Sequence, residues 1–523
     1  MGDIKLLDCT LRDGGYVNDW KWGFSPARDI IRTLTRAGVD IVEVGFLRNV
    51  EGYDPDVSVC NTIEELNRLL PDDSRGTIYS GMAMRSNYDI RKLSEYQGKG
   101  IEMIRITAHD YDIRDGMDFA REVKARGYKL SINPINIMGY ADKDILWILD
   151  QVNAIMPYQF SIVDTFGSMR RRDLERIVSL VDHNLDPSIR VGLHLHENMA
   201  LSFCLAQEFI DKHLARDITV DASLMGMGRI PGNLPIELTA DYMNETCGSH
   251  YDIDELMDAI QDHIAPIKGQ PEWGYTPAYF LSARYNLHRN YAEHYLAKGD
   301  LTNRDINHIL SVLDRSKATA FDKAYADQLY REYQSRQIDD TAAMQQLTQA
   351  FAGRRVLVLA PGATLADPDT QAKLNTLRGS EADLVVSANF LPEFMTPDFA
   401  FFTNSKRLDK ITAFPCPAVL TSNLRPDVAP ADCHTVNYNR VAGAFAQGGN
   451  SVVMLLRLLS LCGAKAVLLA GADGYPAGKP AYADASLHAH TGRDHAFHTA
   501  MAEAIRTAGI PVTFVTPSAY ENA

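Results

Sequence analysis

The stretch Ile4-Lys-Leu-Leu-Asp-Cys-Thr10, followed directly by Leu11-Arg-Asp-Gly-Gly15, begins a pattern that recurs through the first 235 residues. A short apolar or β-branched run alternates with a segment that has apolar residues at helical spacing, such as Ser25–Ala37 or Arg172–Asp182. This alternation predicts parallel strands joined by right-handed crossovers. The predicted strands are Ile4–Thr10, Ile41–Phe46, Thr77–Ala83, Ile101–Ala108, Lys129–Asn133, Phe160–Asp164, Val191–His196 and Ile218–Asp221.

Eight strands with seven intervening helical segments fit an α/β fold of the (β/α)8 TIM-barrel type, which typically takes about 250 residues. A doubly wound open sheet is the alternative. The chain of 523 residues is too long for one ordinary domain. We therefore predict a TIM barrel over 1–240, a helical extension over 241–350 and a Rossmann-like α/β domain over 351–523.

The composition narrows the class of protein. Hydrophobic residues make up 46% and charged residues 23%, as in globular proteins. The seven cysteines include no CxxC pair, which indicates a reducing compartment rather than a disulfide framework. The net charge of −15 argues against nucleic-acid binding, and no apolar run has the length of a membrane span or a signal segment. We expect a cytoplasmic enzyme that acts on small molecules.

Three polar segments each end a predicted barrel strand. They are Leu7-Asp-Cys-Thr-Leu-Arg-Asp-Gly-Gly15, Gly192-Leu-His-Leu-His-Glu-Asn198, and Asp221-Ala-Ser-Leu-Met-Gly-Met-Gly228, which continues to Glu237. The carboxyl ends of TIM-barrel strands open onto one face, and that face holds the active site. Since closure makes the eighth strand a neighbour of the first, the ends of strands 1, 7 and 8 are expected to converge.

The side chains in these segments predict a metal site. His194 and His196 lie two residues apart, so a strand directs both to one side. With Asp13 they offer one carboxylate and two neutral imidazoles, which can hold a divalent ion and leave positions open for substrate. This set without thiolate suits Mn²⁺ or Mg²⁺, with Zn²⁺ or Fe²⁺ as alternatives. Arg12 can present its donor fork to a carboxylate or a developing enolate.

The three segments resemble those of the metal-dependent aldolase/lyase barrels that include hydroxymethylglutaryl-CoA lyase, and especially 4-hydroxy-2-oxovalerate aldolase. The patterns TLRDG, HxHxN and DASLxGxGxxxGNxPxE match Thr10–Gly14, His194–Asn198 and Asp221–Glu237. The resemblance covers about residues 1–240. It implies a metal-dependent reaction between a 2-oxo acid and an aldehyde, with Asn233 beside the metal as a further ligand and Arg12 stabilising the pyruvate enolate.

One position departs from the family pattern. Where the aldolases have a catalytic histidine after the RDG segment, this chain has Tyr16. A phenol with an ordinary pKa near 10 is a poor base at pH 7 unless nearby cations lower the pKa. We assign Tyr16 as a catalytic residue. The alternatives are that His109 or Glu43 relays the proton and that Tyr16 only closes the pocket.

The region after the barrel offers further substrate-binding candidates. The aldolases contribute a tyrosine to the site from a C-terminal helical region, and Tyr275 and Tyr279 are the candidates for its counterpart. We assign both to substrate binding, together with His109. The same helical region is a candidate lid or oligomerisation layer, so a homo-oligomer is also expected.

From about Arg354 the α/β rhythm restarts. The strand Val356–Ala360 runs into Pro361-Gly-Ala-Thr364, a geometry that can place backbone N–H groups against a phosphate. Pro361 and Gly362 are therefore assigned to a nucleotide or nucleotide-sugar site, with a purely structural turn as the alternative. Further strands are predicted at Leu384–Ser387, Phe399–Thr403, Ala418–Thr421, Ala466–Ala470 and Val512–Val515.

This C-terminal region resembles nucleotide-binding modules of bacterial sialyltransferase-like proteins, whose catalytic histidine would correspond to His488 or His490. Taken together, the sequence predicts an aldolase or synthase that joins or splits pyruvate, or a related 2-oxo acid, and an aldehyde. A role in surface polysaccharide sugar biosynthesis follows from the C-terminal resemblance. The alternative function is a glycosyltransferase or nucleotide-sugar enzyme in which the barrel is degenerate.

Overall fold

The computed structural model describes residues 2–268, 273–424, 430–442, 450–475, 481–484, 487 and 495–521. The chain divides into two compact units. Unit 1 comprises Met1–Ala292 with Asp314–Phe321, and unit 2 comprises Glu293–Leu313 with Asp322–Ala523. The three-domain division drawn from the sequence stays a prediction. His488 and His490 lie outside the described residues.

Unit 1 is built around a closed parallel barrel. Strand β1 pairs with both β2 and β9, and the other barrel strands follow in the order β9-β8-β7-β6-β5-β4-β2. The two-residue strand β3 adds to β2 outside this ring. The strands are β1 (Ile4–Asp8), β2 (Ile41–Leu47), β3 (Val59–Cys60), β4 (Ile78–Met84), β5 (Met103–Ala108), β6 (Lys129–Pro134), β7 (Gln159–Asp164), β8 (Arg190–Leu195) and β9 (Ile218–Ala222).

Helices surround the barrel because one side of each is apolar. In Phe24–Arg36, the buried Ala27, Ile30 and Leu34 recur at helical spacing while Arg28 and Arg32 are exposed. The helices up to residue 284 are α1 (Thr10–Asp13), α2 (Gly15–Asn18), α3 (Phe24–Arg36), α4 (Ile63–Asn67), α5 (Ile113–Ala125), α6 (Asp142–Ile155), α7 (Arg171–Asn184), α8 (Ser202–Ile210), α9 (Ile236–Cys247), α10 (Ile253–Ala259) and α11 (Pro277–Arg284).

Unit 2 contains an open, fully parallel sheet of seven strands in the order β14-β13-β12-β11-β10-β15-β16. Chain order runs outward from β10 in one direction to β14 and in the other to β16, so the order reverses between β10 and β15. The strands are β10 (Arg355–Leu359), β11 (Leu384–Ala388), β12 (Phe399–Phe402), β13 (Ala418–Thr421), β14 (Cys433–Val436), β15 (Ala466–Ala470) and β16 (Val512–Phe514).

The helices from residue 290 onward include α19, which is almost entirely buried in the core of unit 2. Its buried apolar residues surround the whole helix rather than one stripe, as expected for a helix inside a core. These helices are α12 (Asn290–Lys298), α13 (Asn303–Ser311), α14 (Lys323–Gln334), α15 (Thr341–Phe351), α16 (Pro368–Leu377), α17 (Ser405–Leu408), α18 (Tyr438–Ala442), α19 (Ser451–Leu461) and α20 (His495–Arg506).

The predicted fold class is confirmed. All eight predicted barrel strands are present, the region after the barrel contains helices α9–α15, and the C-terminal region forms a parallel α/β sheet. Thr10 was predicted as strand, but the chain turns into helix α1 there. None of the described helices is long and apolar enough to cross a membrane.

Candidate active site

Asp13, His194 and His196 meet at the carboxyl ends of the barrel strands. Asp13 is on α1, the single helical turn after β1, whereas His194 is in β8 and His196 follows its last residue. One potential ligand atom from each lies within 4.8 Å of the others, and all three side chains are buried. The two imidazole rings are nearly perpendicular, with centroids 5.0 Å apart. The chain therefore places one carboxylate and two imidazoles around one point.

Both imidazoles are held by their Nδ1 atoms. Nδ1 of His194 lies 3.1 Å from Oδ2 of Asp221, and Nδ1 of His196 lies 3.1 Å from the carbonyl oxygen of Asp164. The buried Nε2 of His196 has no hydrogen-bond partner among the described residues. Burial, and then the neighbouring His194, lower the pKa of His196 to about 3, so this ring is neutral at pH 7. A neutral ring with a fixed Nδ1 is in the state required of a metal ligand.

Asp13 is ionised although it is buried. Burial alone would raise the pKa of this carboxyl, but the Arg12 guanidinium outweighs it and holds the pKa well below its usual range. Asn233 lies opposite His196, with which it forms an isolated β-bridge. Its Oδ1 is buried without a hydrogen-bond partner in the described part of the chain, while its Nδ2 lies 3.5 Å from Sγ of Cys9. The oxygen of Asn233 is thus available as a further ligand.

A chain of buried ion pairs connects Arg12 with His194 beneath this point. Nε of Arg12 donates to Oε2 of Glu43 at 2.6 Å, and a second guanidinium nitrogen contacts Asp13. Arg105, which is 1% exposed, donates to the same Glu43 oxygen at 3.2 Å and also pairs with Asp221. Asp221 also holds His194. One continuous network therefore orients both the Arg12 guanidinium and the His194 imidazole.

The charges in this network are unequal. Two guanidinium groups, of Arg12 and Arg105, face the three carboxylates of Asp13, Glu43 and Asp221. One net negative charge is left in a site where all five side chains are buried. Buried charges are strongly disfavoured without compensation. The arrangement therefore favours a bound cation.

Tyr16 lies on α2 at the rim of this site. Its ring packs edge-on against Trp20, with centroids 4.7 Å apart, and against Phe46 at 6.4 Å. The Arg12 guanidinium carbon lies 5.7 Å from the same Phe46 ring. Tyr16 is 40% exposed, so the phenol is accessible to solvent.

The three assigned substrate-binding residues are placed differently. His109 follows β5 at the carboxyl-end face of the barrel, and its ring stacks on Tyr111 with centroids 4.8 Å apart. Tyr279 packs partly buried against the core of unit 1. Tyr275 is 54% exposed. Of the three, His109 lies on the face of the barrel that also carries Asp13, His194 and His196.

In unit 2, Pro361 and Gly362 line a cleft at the carboxyl ends of β10 and β15, where the strand order reverses. The N–H of Gly362 donates to the carbonyl of Gly471 at 2.8 Å, and a Cβ on Gly362 would lie 2.2 Å from that oxygen. Only glycine permits this approach. Asp473 accepts hydrogen bonds from both the N–H and the hydroxyl of Thr364, and the cleft wall includes Tyr482.

The sequence motifs located the ligand candidates but not the network that supports them. The predicted strand Ile101–Ala108 contains Arg105, and the segment Leu7–Gly15 contains Cys9, but the sequence alone assigns a role to neither residue. Glu43 was considered only as an alternative base, yet its Oε2 is already bonded to two arginines. A charged residue inside an otherwise apolar barrel strand is the signal that identifies such positions, because lone buried charges are costly.

The chain is similar in sequence to several known proteins. Residues 105–262 match the family described as HMGL-like. Among similar curated proteins is 4-hydroxy-2-oxovalerate aldolase of Thermomicrobium roseum, 26% identical over 269 residues, which are 50% of this chain and 73% of that protein. Another is oxaloacetate decarboxylase of Mycobacterium tuberculosis, 24% identical over 318 residues, covering 60% and 91% respectively.

Solved structures are also similar to this chain. The HMG-CoA lyase of Brucella melitensis is 14% identical with a TM-score of 0.39, covering 50% of this chain and 96% of its own. The carboxyl transferase domain of Rhizobium etli pyruvate carboxylase is 11% identical with a TM-score of 0.46, covering 66% and 64% respectively.

Proposed function

We propose that the barrel catalyses a metal-dependent aldol reaction, which makes or breaks a carbon–carbon bond between pyruvate, or a related 2-oxo acid, and an aldehyde. The observation that carries the proposal is the buried group of Asp13, His194 and His196 directly beside the Arg12 guanidinium. The similarity to proteins named as 4-hydroxy-2-oxovalerate aldolases and as an oxaloacetate decarboxylase supports chemistry next to the carbonyl of a 2-oxo acid.

The donor atoms fit a divalent cation, with Mn²⁺ or Mg²⁺ as the proposed ion. Asp13, His194, His196 and Asn233 would hold it, because the group combines a carboxylate, two imidazoles and an amide oxygen without thiolate. The unpartnered Nε2 of His196 and Oδ1 of Asn233 are the two atoms that most directly support this fit. When bound, such an ion polarises the 2-oxo acid carbonyl and stabilises developing negative charge.

The residues of the chain then have separate tasks. Arg12 donates its remaining N–H groups to the pyruvate oxygen that becomes negative when C3 loses its proton. Glu43 and Asp13 fix the Arg12 fork, so little reorganisation is needed when the enolate forms. The burial of these side chains excludes bulk water and strengthens each electrostatic contact. When the carbon–carbon bond is formed, the enolate C3 attacks the aldehyde carbon, and the aldehyde oxygen takes up a proton.

The proposal is tested by pyruvate deuterium exchange in D₂O with added Mn²⁺, which needs no knowledge of the aldehyde. The wild-type protein should exchange the C3 protons far faster than Mn²⁺ alone. The same measurement after chelation gives the background rate. Exchange no faster than that background would refute the aldolase proposal and favour the alternative of a degenerate barrel.

Tyr16 is proposed as the group that moves the C3 proton, since it adjoins Arg12 through Phe46. We expect Tyr16→Phe to slow exchange by about 10²-fold, the lower end of the usual contribution of a positioned acid–base group. The lower end applies because Tyr16 is 40% exposed and water can replace it in part. Metal content should stay at the wild-type level, with Tyr242→Phe as control, which removes a hydroxyl of α9 that donates to Asp211. Normal exchange in Tyr16→Phe would transfer the role to His109.

A second function is proposed for unit 2, namely binding of a nucleotide or nucleotide sugar in the cleft formed by Pro361, Gly362 and Tyr482. Its position supports the proposal, because ligands of open parallel sheets bind outside the carboxyl strand ends where strand order reverses. Together the two activities suit synthesis of a sugar for a surface polysaccharide in the cytoplasm. The homo-oligomer stays a prediction.

Calorimetry of the full-length protein against a panel of nucleotides and nucleotide sugars checks the second function. We expect one class to bind, and Tyr482→Ala to weaken it about tenfold, the effect of losing one base–aromatic contact. Tyr111→Ala serves as the control, since Tyr111 belongs to unit 1 and is 70% exposed. If the wild-type protein bound none of these compounds, the cleft would have no nucleotide-binding role.

A further inference from the structure

Arg229 lies between the metal-ligand candidates and a second group of polar side chains. Its backbone N–H donates to Oδ2 of Asp13 at 3.3 Å, which fixes the start of the side chain beside the metal site. Its guanidinium nitrogen lies 2.8 Å from Nε2 of His288. Arg229 is partly exposed, so a ligand in the barrel mouth can reach it. The guanidinium is thus a fixed positive charge next to the reaction centre.

Two neutral imidazoles accompany this charge. Burial, and then Arg229, lower the pKa of His288 to about 3. Burial also lowers the pKa of His109, an effect to which Arg229 adds and which Asp112 and Asp110 oppose. The Nδ1 of His109 is buried and has no hydrogen-bond partner among the described residues. Neither ring adds a second positive charge. Nδ1 of His109 provides hydrogen-bonding capacity for a ligand, whereas both ring nitrogens of His288 already have contacts.

Arg229 follows β9 and His109 follows β5, so both stand at the carboxyl-end face of the barrel, which also carries Asp13. An aldehyde bound beside Asp13 can therefore extend to Arg229, whose backbone N–H contacts that carboxylate. Carboxylates and phosphates are the groups that a guanidinium fork binds best.

Asn136 is another polar residue at the carboxyl ends of the barrel strands. It follows β6 and is 2% exposed, and both atoms of its side-chain amide are buried without a hydrogen-bond partner in the described residues. A Cβ on Gly139 would lie within 4 Å of the amide nitrogens of both Asn136 and Asn286, which places Asn136 near the segment that carries His288. Buried amides are normally paired, so an unpaired one indicates a polar ligand.

We propose that Arg229, held in place by His288, forms together with His109 a subsite for an anionic group, carboxylate or phosphate, carried by the aldehyde substrate. This inference rests on the aldol reaction proposed above and adds the chemical class of its second substrate. The anion takes no part in the bond changes. The carbon–carbon bond forms between C3 of the 2-oxo acid and the aldehyde carbon, C3 loses one proton and the aldehyde oxygen gains one.

The experiment compares kcat/KM for aldol addition of pyruvate to three aldehydes with the Mn²⁺-loaded full chain. The probes are succinic semialdehyde with a carboxylate, glyceraldehyde 3-phosphate with a phosphate, and uncharged propanal. We expect the wild type to prefer one anionic aldehyde over propanal by about 10- to 100-fold, the range of a charge-assisted hydrogen bond. Arg229→Gln should bring that ratio close to one, and Arg229→Lys should restore part of it. The control is Arg284→Gln, an exposed arginine of α11.

The other outcomes contradict either the anion subsite or the aldol reaction itself. A wild type without preference for either anion, or a preference that survives in Arg229→Gln, overturns the inference. If Arg229→Gln loses activity equally with all three aldehydes and raises KM for pyruvate, Arg229 holds the 2-oxo acid instead, and the inference is again wrong. Failure of the wild type to exchange pyruvate protons would overturn the aldol reaction itself, and that measurement involves no aldehyde.

Discussion

Purified wild-type protein is expected to contain about one divalent ion per chain, and the His194→Ala/His196→Ala variant none. The double change removes two of the three side chains that meet within 4.8 Å and leaves only the Asp13 carboxylate of that group. One carboxylate and the neutral amide oxygen of Asn233 hold a divalent ion too weakly for it to survive purification, since protein sites for these ions use several ligands. Pyruvate exchange in the variant should fall to the metal-only background.

Elemental analysis by mass spectrometry after gel filtration provides the measurement. A matched double variant, His183→Ala/His213→Ala, changes two exposed histidines of the same unit and should keep the full metal content. Circular dichroism of both variants should match the wild type, because Asp221 still has Arg105 as its partner after His194 is lost. Equal metal content in the wild type and in His194→Ala/His196→Ala would reject the assigned ligands.

The second large effect is expected at Arg12. Arg12→Ala should lower kcat for pyruvate exchange on the order of 10²–10³-fold, the usual result of losing one donor to a developing oxyanion. Arg12→Lys should recover only part of the rate, because an ammonium group keeps the charge but lacks the planar fork that Glu43 and Asp13 hold in place. Exchange kinetics at saturating pyruvate separate this effect from a change in KM.

Two controls make the Arg12 result interpretable. Arg28→Ala removes an exposed arginine of α3 and should leave exchange unchanged. Metal content of Arg12→Lys should stay near one per chain, which separates loss of the donor from loss of the ion. Exchange at the wild-type rate in Arg12→Ala would show that the guanidinium has no part in enolate formation.

The sequence predicted the barrel well because the physical signal repeats. Strands such as β2, whose seven residues are all buried, must be apolar, and the helices between them need an apolar stripe. The two strands that the sequence did not predict, β3 and β14, are short. Val59–Cys60 has two residues and Cys433–Val436 has three of four residues partly or well exposed, so neither has a distinct hydrophobic pattern.

The candidate site could be predicted only in part, for a related reason. Asp13, His194 and His196 stand in recognisable segments at strand ends, and the barrel topology alone brings those ends together. The pairing of Arg105 with Glu43 and Asp221 depends on which side chains point inward at the same level of three strands. Residues separated by 62 and 116 positions in the chain give no local sign of that contact.

The buried pairing of Arg105 also limits which substitutions this site can accept during evolution. Arg105 pairs with both Glu43 and Asp221, so replacing any one of the three leaves a buried charge without its partner. Such losses commonly destabilise a protein by about 3–5 kcal/mol, a large part of its total stability. Substitutions here therefore have to arrive in compensating sets. An engineer who grafts the metal ligands and Arg12 onto another barrel would have to transfer these three deeper residues with them.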